Sequence, residues 1–278
     1  MSRNKDRLGN SQPPSTGAPA AAFSPLNFVT PTEFVELPSK GVAYPEGHPL
    51  CDQDTIEIRY MTAKDEDILT SQTLLKKGVA LDRFLENILL DKSIDIKTLL
   101  VGDKNAILIA ARASGYGFDY DTTLTCPECS TKTNVVFDLR SPKISGILDS
   151  SQDIITQVSR GVYATTMPLS NFKIEYRLMN SEDENVLTES IRSNKSGDEN
   201  ALTTQFKRLI TSIEGYTDQH IIDQYVENMP TVDSRHFKMC LQASNPNIEI
   251  KETFKCRKCD FEKEVDVPFG ADFFWPDL

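Results

Sequence analysis

"IEIRYMTAKDEDILT", residues 56–70, returns later in the chain as "IEYRLMNSEDENVLT", residues 174–188. Eight of the fifteen positions are identical, where about one would match by chance at average composition. In each copy an alternating apolar and polar run, the pattern of a half-buried strand, leads into an acid-rich helix start. Thr62 followed three residues later by Asp65 has the spacing of a capping box, and the acids of "DED" sit over the positive end of the helix dipole.

The similarity extends outward from this block. Upstream, "SKGV" (39–42) is echoed by "SRGV" (159–162) and "HPL" (48–50) by "MPL" (167–169). Downstream, "RAS" (112–114) answers "QAS" (242–244), and the pair Cys126/Cys129 answers Cys256/Cys259. The offset is 118 residues at the strand–helix block and 130 at the cysteines. A longer helical insertion in the second copy, within about 189–222, accounts for the difference. The chain therefore reads as a tandem duplication, residues 35–139 and 155–269, joined by a linker at 140–154. An arm, 1–27, rich in Ser, Pro, Ala, Gly and Asn and without apolar period, is expected to be disordered. An aromatic tail, 270–278, follows.

Within a copy, "ALDRFLENILL" continues the helical period after Gly78, which is expected to separate two helical segments. "GDKNAILIAARAS" offers Asp103 as an N-cap before an apolar stripe, and Asp233 holds the equivalent place before "SRHFKMCLQAS". "GYG" (115–117) reads as a turn into the strand "GFDYDTTLTC", which passes through the C-x-x-C and returns along "NVVFDL"; the counterparts are "NIEIKETFKC" and "EVDVPF". Each copy is thus a strand, helices and a β-hairpin tipped by two cysteines, which gives an α+β fold class.

A tetrahedral metal site needs four ligands and each hairpin supplies two. Cys126, Cys129, Cys256 and Cys259 would together form one four-thiolate zinc site that fastens copy to copy. Buried thiols in hairpin turns, or a zinc shared between two chains, are the other readings of the same spacing. Four thiolates leave no open coordination position for water, so such a zinc is structural and not hydrolytic.

Composition narrows the function classes. The chain has 278 residues, 39% of them apolar, enough for a sizeable core. No apolar run approaches the roughly 18 residues of a membrane span, and the N-terminus lacks a signal-peptide core, so the expected setting is a cytosol that keeps thiols reduced. A formal charge of −11 and the lack of a Lys/Arg-rich run disfavour nucleic-acid binding. His48, His220 and His236 lack ligand spacing, and no nucleophile elbow, P-loop or dinucleotide glycine pattern occurs. The acids of "KDED" and "SEDE" are read as helix caps and not as a catalytic carboxylate pair. Cys240 reads as a small core residue and Cys51 as an incidental loop thiol. The expectation is a protein that is not an enzyme.

The series "ELPSKGVAYPEG", "IEIRYMTAKDED", "VGDKNAILIAARASGYGFDY" and "TCPEC" followed by "VVFDL" resembles the baseplate hub assembly proteins of T-even-type bacteriophages with contractile tails. The resemblance covers most of the first copy. The second departs from it: Asn245, Pro246 and Asn247 replace "GYG", and Arg257 and Lys258 stand between its cysteines. It implies a noncatalytic protein needed to build the baseplate hub, with other hub subunits as partners, acting in the host cytoplasm and either kept in the virion or released. The competing class is a zinc-ribbon nucleic-acid-binding regulator, to which "KCRKC" lends a basic touch and "TCPEC" does not.

The tail "FGADFFWPDL" has no counterpart in the first copy. Phe273, Phe274 and Trp275 either dock into a hub partner, with Trp275 as anchor, or fold back onto the protein's own core.

Overall fold

Thr32–Glu36 (β1) pairs antiparallel with Thr55–Arg59 (β2), Thr32 opposite Arg59 and Glu36 opposite Thr55. In the second half Val162–Thr166 (here β7) and Lys173–Arg177 (β8) pair in the same way, Val162 opposite Arg177 and Thr166 opposite Lys173. These come from a computed structural model that describes residues 29–140, 142–145, 154–193, 201–267 and 271–274. Contacts divide the chain into Met1–Pro31 and Thr32–Leu278. Of the first unit only residues 29–31 are described, so the expected disordered arm, 1–27, lies outside the described residues. Everything below concerns the second unit.

After β2 come the helices Ala63–Thr70 (α1), Gln72–Lys77 (α2) and Ala80–Ile88 (α3). The Asp65 carboxylate accepts from the Thr62 N–H and hydroxyl, both at 2.8 Å, as the capping spacing predicts. Gly78 ends α2 at φ 72°, a left-handed C-cap that glycine adopts without strain. Helix α3 buries Ala80, Phe84, Leu85 and Ile88, one stripe of a 3.6-residue period. A 3-10 turn, Ile96–Thr98, leads to Val101–Tyr116 (α4), and the hairpin Asp119–Thr125 (β3) and Lys132–Asp138 (β4) follows. Along β4 burial alternates strictly, with Thr133, Val135 and Phe137 inward.

Lys143–Ser145 (β5) lies inside the stretch expected to be a plain linker. Thr156–Ser159 (β6) then joins β7, β8 and Ile210–Ile213 (β9) in a four-stranded antiparallel sheet of order β6-β7-β8-β9. Between β8 and β9 run Ser181–Ser193 (α5) and Ala201–Leu209 (α6); after β9 come Gln219–Glu227 (α7) and Thr231–Ser244 (α8). The stretch expected to hold extra helix, about 189–222, contains the end of α5, all of α6, the strand β9 and the start of α7. Asn247–Glu249 (β10) pairs antiparallel with β5, tying the linker to the second half. The hairpin Lys251–Lys255 (β11) and Glu262–Asp266 (β12) and a 3-10 turn, Ala271–Phe274, complete the described chain. The architecture is α+β, with small antiparallel sheets packed on helices.

The core runs through both halves. Val101 donates its N–H to the Met179 carbonyl (3.2 Å), Ser181 its own to Leu99 (2.8 Å), and the Lys104 ammonium meets Glu184 at 2.5 Å. Phe84, Ile107 and Phe137 share one apolar cluster with Tyr163, Tyr176 and Phe237.

Three local expectations are corrected. Asp103 is not the N-cap of α4: the helix starts at Val101 with Leu100 as cap, and Asp103 lies in the first turn. Its buried carboxylate accepts from the Ser39 N–H (2.9 Å), the Ser39 hydroxyl (2.6 Å) and Tyr44 (2.7 Å). Asp233 likewise lies in the first turn of α8, and accepts from the N–H groups of Leu169 (2.8 Å) and Ser170 (3.0 Å). Both acids tie down the loop after a strand. The pairing of "SKGV" with "SRGV" also fails, because residues 39–42 follow β1 whereas 159–162 lead from the end of β6 into the start of β7. "HPL" and "MPL" fall at opposite ends of their β1–β2 and β7–β8 connections. The segment standing where "MPLSN" (167–171) stands is "LPSK" (37–40), each with one residue at positive φ, Asn171 at 57° and Lys40 at 49°.

Candidate metal centre

The two hairpin tips meet. Strand β4 packs beside β11, so the turn of 126–129 faces the turn of 256–259. Cys126 and Cys259 have their sulfurs 3.7 Å apart, Cys129 and Cys256 3.4 Å, and Cys129 and Cys259 3.6 Å. All four sulfurs lie within 4.8 Å of one another. A disulfide requires about 2.05 Å, so these are four thiols. A tetrahedron of thiolates about 2.3 Å from a central ion has edges of about 3.8 Å. The observed spacings fit, and the quartet could hold a metal ion.

Each tip is shaped by its backbone. Cys126 donates its N–H to Thr131 (2.9 Å) and receives that of Ser130 (2.9 Å); Ser130 turns the chain at φ 54°. Cys256 donates to Phe261 (3.0 Å), and the Lys258 N–H points at the Cys256 sulfur at 3.4 Å. Hydrogen bonds from the Thr131 hydroxyl and N–H hold Cys129 down to about 6, a thiolate in neutral solution. Backbone hydrogen bonding lowers Cys256 too. Cys259 goes the other way, to about 12: the Phe261 backbone favours its thiolate, but burial and the three neighbouring sulfurs outweigh that. Without a cation, gathered thiolates repel, and a divalent ion removes that conflict. Thr131, whose hydroxyl lies 3.2 Å from Cys129, is a contributor the C-x-x-C pattern does not reveal.

The other sequence candidates fall elsewhere. Asp65 is fully buried and grips Arg59 bidentately (2.6 and 2.9 Å), with Asn87 at 2.6 Å. Burial opposes its ionisation, yet these partners and Thr62 hold it at about 2. Asp183 accepts from Arg177 (2.5 and 2.8 Å) and Arg208 (2.8 Å). Both acids are neutralised structural anchors and not a free carboxylate pair. His48 stacks on Tyr44 at 4.5 Å. His236 contacts Thr165 (3.0 Å) and the buried thiol of Cys240 (3.5 Å). Cys51 lies 3.7 Å from Asp52.

Phe273 and Phe274, one reading of which was an exposed docking patch, are each 1% exposed. Phe274 meets Phe84 edge-on at 5.0 Å, Phe273 meets Tyr120 at 5.0 Å, and the Arg112 guanidinium lies 5.6 Å from the Phe273 ring. They close the core, which offers more apolar burial than solvent does. Trp275 lies outside the described residues.

The family described as T4 bacteriophage base plate protein matches residues 31–275. The chain belongs to this family. The match takes in both hairpins and all four cysteines of this baseplate protein. Comparison with curated proteins and with solved structures returned no match. No described helix is long and apolar enough to cross a membrane. At the second hairpin Lys251 bonds to Glu249 of β10 (2.7 Å) and Lys255 to Glu262 (3.0 Å).

Proposed function

We propose that this baseplate protein is a noncatalytic, zinc-clasped scaffold that helps assemble the central hub of the tail baseplate, binding other hub subunits. The observation that carries the metal assignment is the quartet Cys126, Cys129, Cys256 and Cys259 at tetrahedral spacing within one chain. Four soft thiolates select zinc over harder cations, and a shell closed by four cysteines suits structure and not hydrolysis. The sulfurs are close enough for one intrachain ion, which favours that arrangement over a zinc shared between chains.

The duplication reading draws support from matched geometry. The β1–β2 and β7–β8 ladders share a register; each is followed by an Arg–Asp clasp six residues apart, Arg59–Asp65 and Arg177–Asp183; each half ties its loop to a buried Asp on its last long helix. On this reading the clasp fastens one copy to the other. Mass spectrometry of purified particles beside infected-cell lysate tests the assignment. Presence in the baseplate, or enrichment with hub subunits in lysate alone, supports it; association with nucleic acid or host complexes alone overturns it.

A further inference from the structure

Strand β7 carries β6 on its outer edge, Thr156 opposite Ala164. Strand β1, which meets β2 in the register in which β7 meets β8, has no strand on that edge among the described residues. Leu37 donates its N–H to Asp54 across the ladder (2.8 Å). By antiparallel alternation Val35 and Glu33 also bond toward β2, while Phe34 and Glu36 turn their N–H and C=O groups away from it. The Leu90 N–H reaches Glu57, opposite Phe34, from the far side of β2 (3.4 Å), as that alternation requires.

The free edge borders a groove of about 510 Å³. Glu33, Phe34, Val35 and Glu36 all line it. Consecutive strand residues point to opposite faces, so a lining of four in a row follows the strand's edge and not one face. The floor is the stripe Ala106, Ile109, Ala110 and Ala113 of α4, whose three alanines leave room above the helix, and Ile144 of β5 lines it as well. Phe34 is 70% exposed beside it. The Oε1 atom of Glu33 is buried and has no hydrogen-bond partner among the described residues. A buried carboxylate oxygen left unpaired is costly, so the groove lacks a donor as well as a strand.

We propose that this groove receives an extended segment of a partner protein, which adds to β1 as a further strand, lays small or branched apolar side chains on α4 and directs a lysine or arginine to Glu33. Backbone pairing would supply affinity, while the apolar floor and the single acid would select sequence, the mode by which exposed sheet edges capture peptides. The turn that folds β6 onto β7 contains Gly161 at φ 73°; the residue directly before β1 is Pro31, whose ring fixes φ near −65°, so a tight turn of that left-handed kind is closed to that position. The net charge of −11 also favours a cationic segment. This inference goes beyond hub assembly: capture of a tail protein outside the hub would leave the groove assignment standing and count against the hub.

The test applies the full-length, metal-loaded protein to an array of twelve-residue peptides tiled across the baseplate proteins of the same phage and across this chain. Phe34→Pro removes an outward N–H and leaves the β2 ladder intact; Glu33→Gln removes the charge. Expected is binding to peptides of alternating apolar residues with a basic residue, weakened at least tenfold by Phe34→Pro and, for the basic peptides, at least tenfold by Glu33→Gln, with melting temperatures within a few degrees of the parent. Absence of binding, binding insensitive to Glu33→Gln, or capture confined to this chain's own peptides overturns the proposal. Should Phe34→Pro melt early, Glu33→Gln alone decides.

Discussion

Gly102 faces the backbone of Pro246 so closely that a methyl group built on its Cα would lie 2.1 Å from the Pro246 carbonyl oxygen. The first turn of α4 therefore rests directly on the approach to β10, with no side chain between them. Gly102→Ala forces backbone apart from backbone, and overpacking of this kind costs about 1–3 kcal/mol. Thermal unfolding of that variant should show a clearly lowered midpoint, whereas Gly47→Ala, whose added methyl meets nothing within 4 Å, should cost less despite its positive φ. Equal losses would show that the contact does not matter.

The thiol quartet predicts about one zinc per chain by elemental analysis. Chelation should lower the melting temperature by ten degrees or more, since metal binding energy is folding energy for a site of this kind. Cys129→Ser and Cys256→Ser should have matching effects although they lie on different hairpins. A loss of amide protection confined to β3 and β4 in Cys129→Ser would argue that the hairpins are not coupled through metal.

Asp65 predicts an acid-sensitive term. Its folded value of about 2 lies below the ordinary carboxylate value of 3.8, so the folded state prefers the charged form. The stabilisation is fully present above pH 5 and fades as pH falls from about 5 toward 2; at neutral pH it is on the order of 2 kcal/mol. Asp65→Asn should flatten that part of the stability curve and cost about 3 kcal/mol at pH 7, because Arg59 loses its partner. Following both proteins by urea unfolding in chelator separates this term from acid release of metal.

Burial of Phe273 and Phe274 predicts that removing residues 271–278 lowers the melting temperature substantially. Phe273→Ala alone should cost about 3–4 kcal/mol through the cavity left beside Tyr120. An unchanged melting temperature would return these rings to the surface.

What the sequence made legible was local or repeated. The strand–helix block, the Thr62–Asp65 cap, the Gly78 break and the four cysteines each carry a short-range pattern, and repetition brought the distant cysteine pairs together. The roles of Asp103 and Asp233 were missed because an acid at a helix start looks like a cap, while their partners lie over sixty residues away. "SKGV" and "SRGV" misled because four similar residues carry little information without the strand that orders them. Phe273 and Phe274 were ambiguous for a physical reason: the apolar area that makes a good contact surface makes an equally good core.

The proposed clasp also sets an order of events during synthesis. Cys126 and Cys129 leave the ribosome 130 residues ahead of their counterparts, a delay on the order of ten seconds at ordinary elongation rates. Through that interval the first hairpin holds half a ligand set, open to oxidation or to a metal borrowed from elsewhere. The last hairpin is then the latch, and the nascent chain is most vulnerable just before it closes.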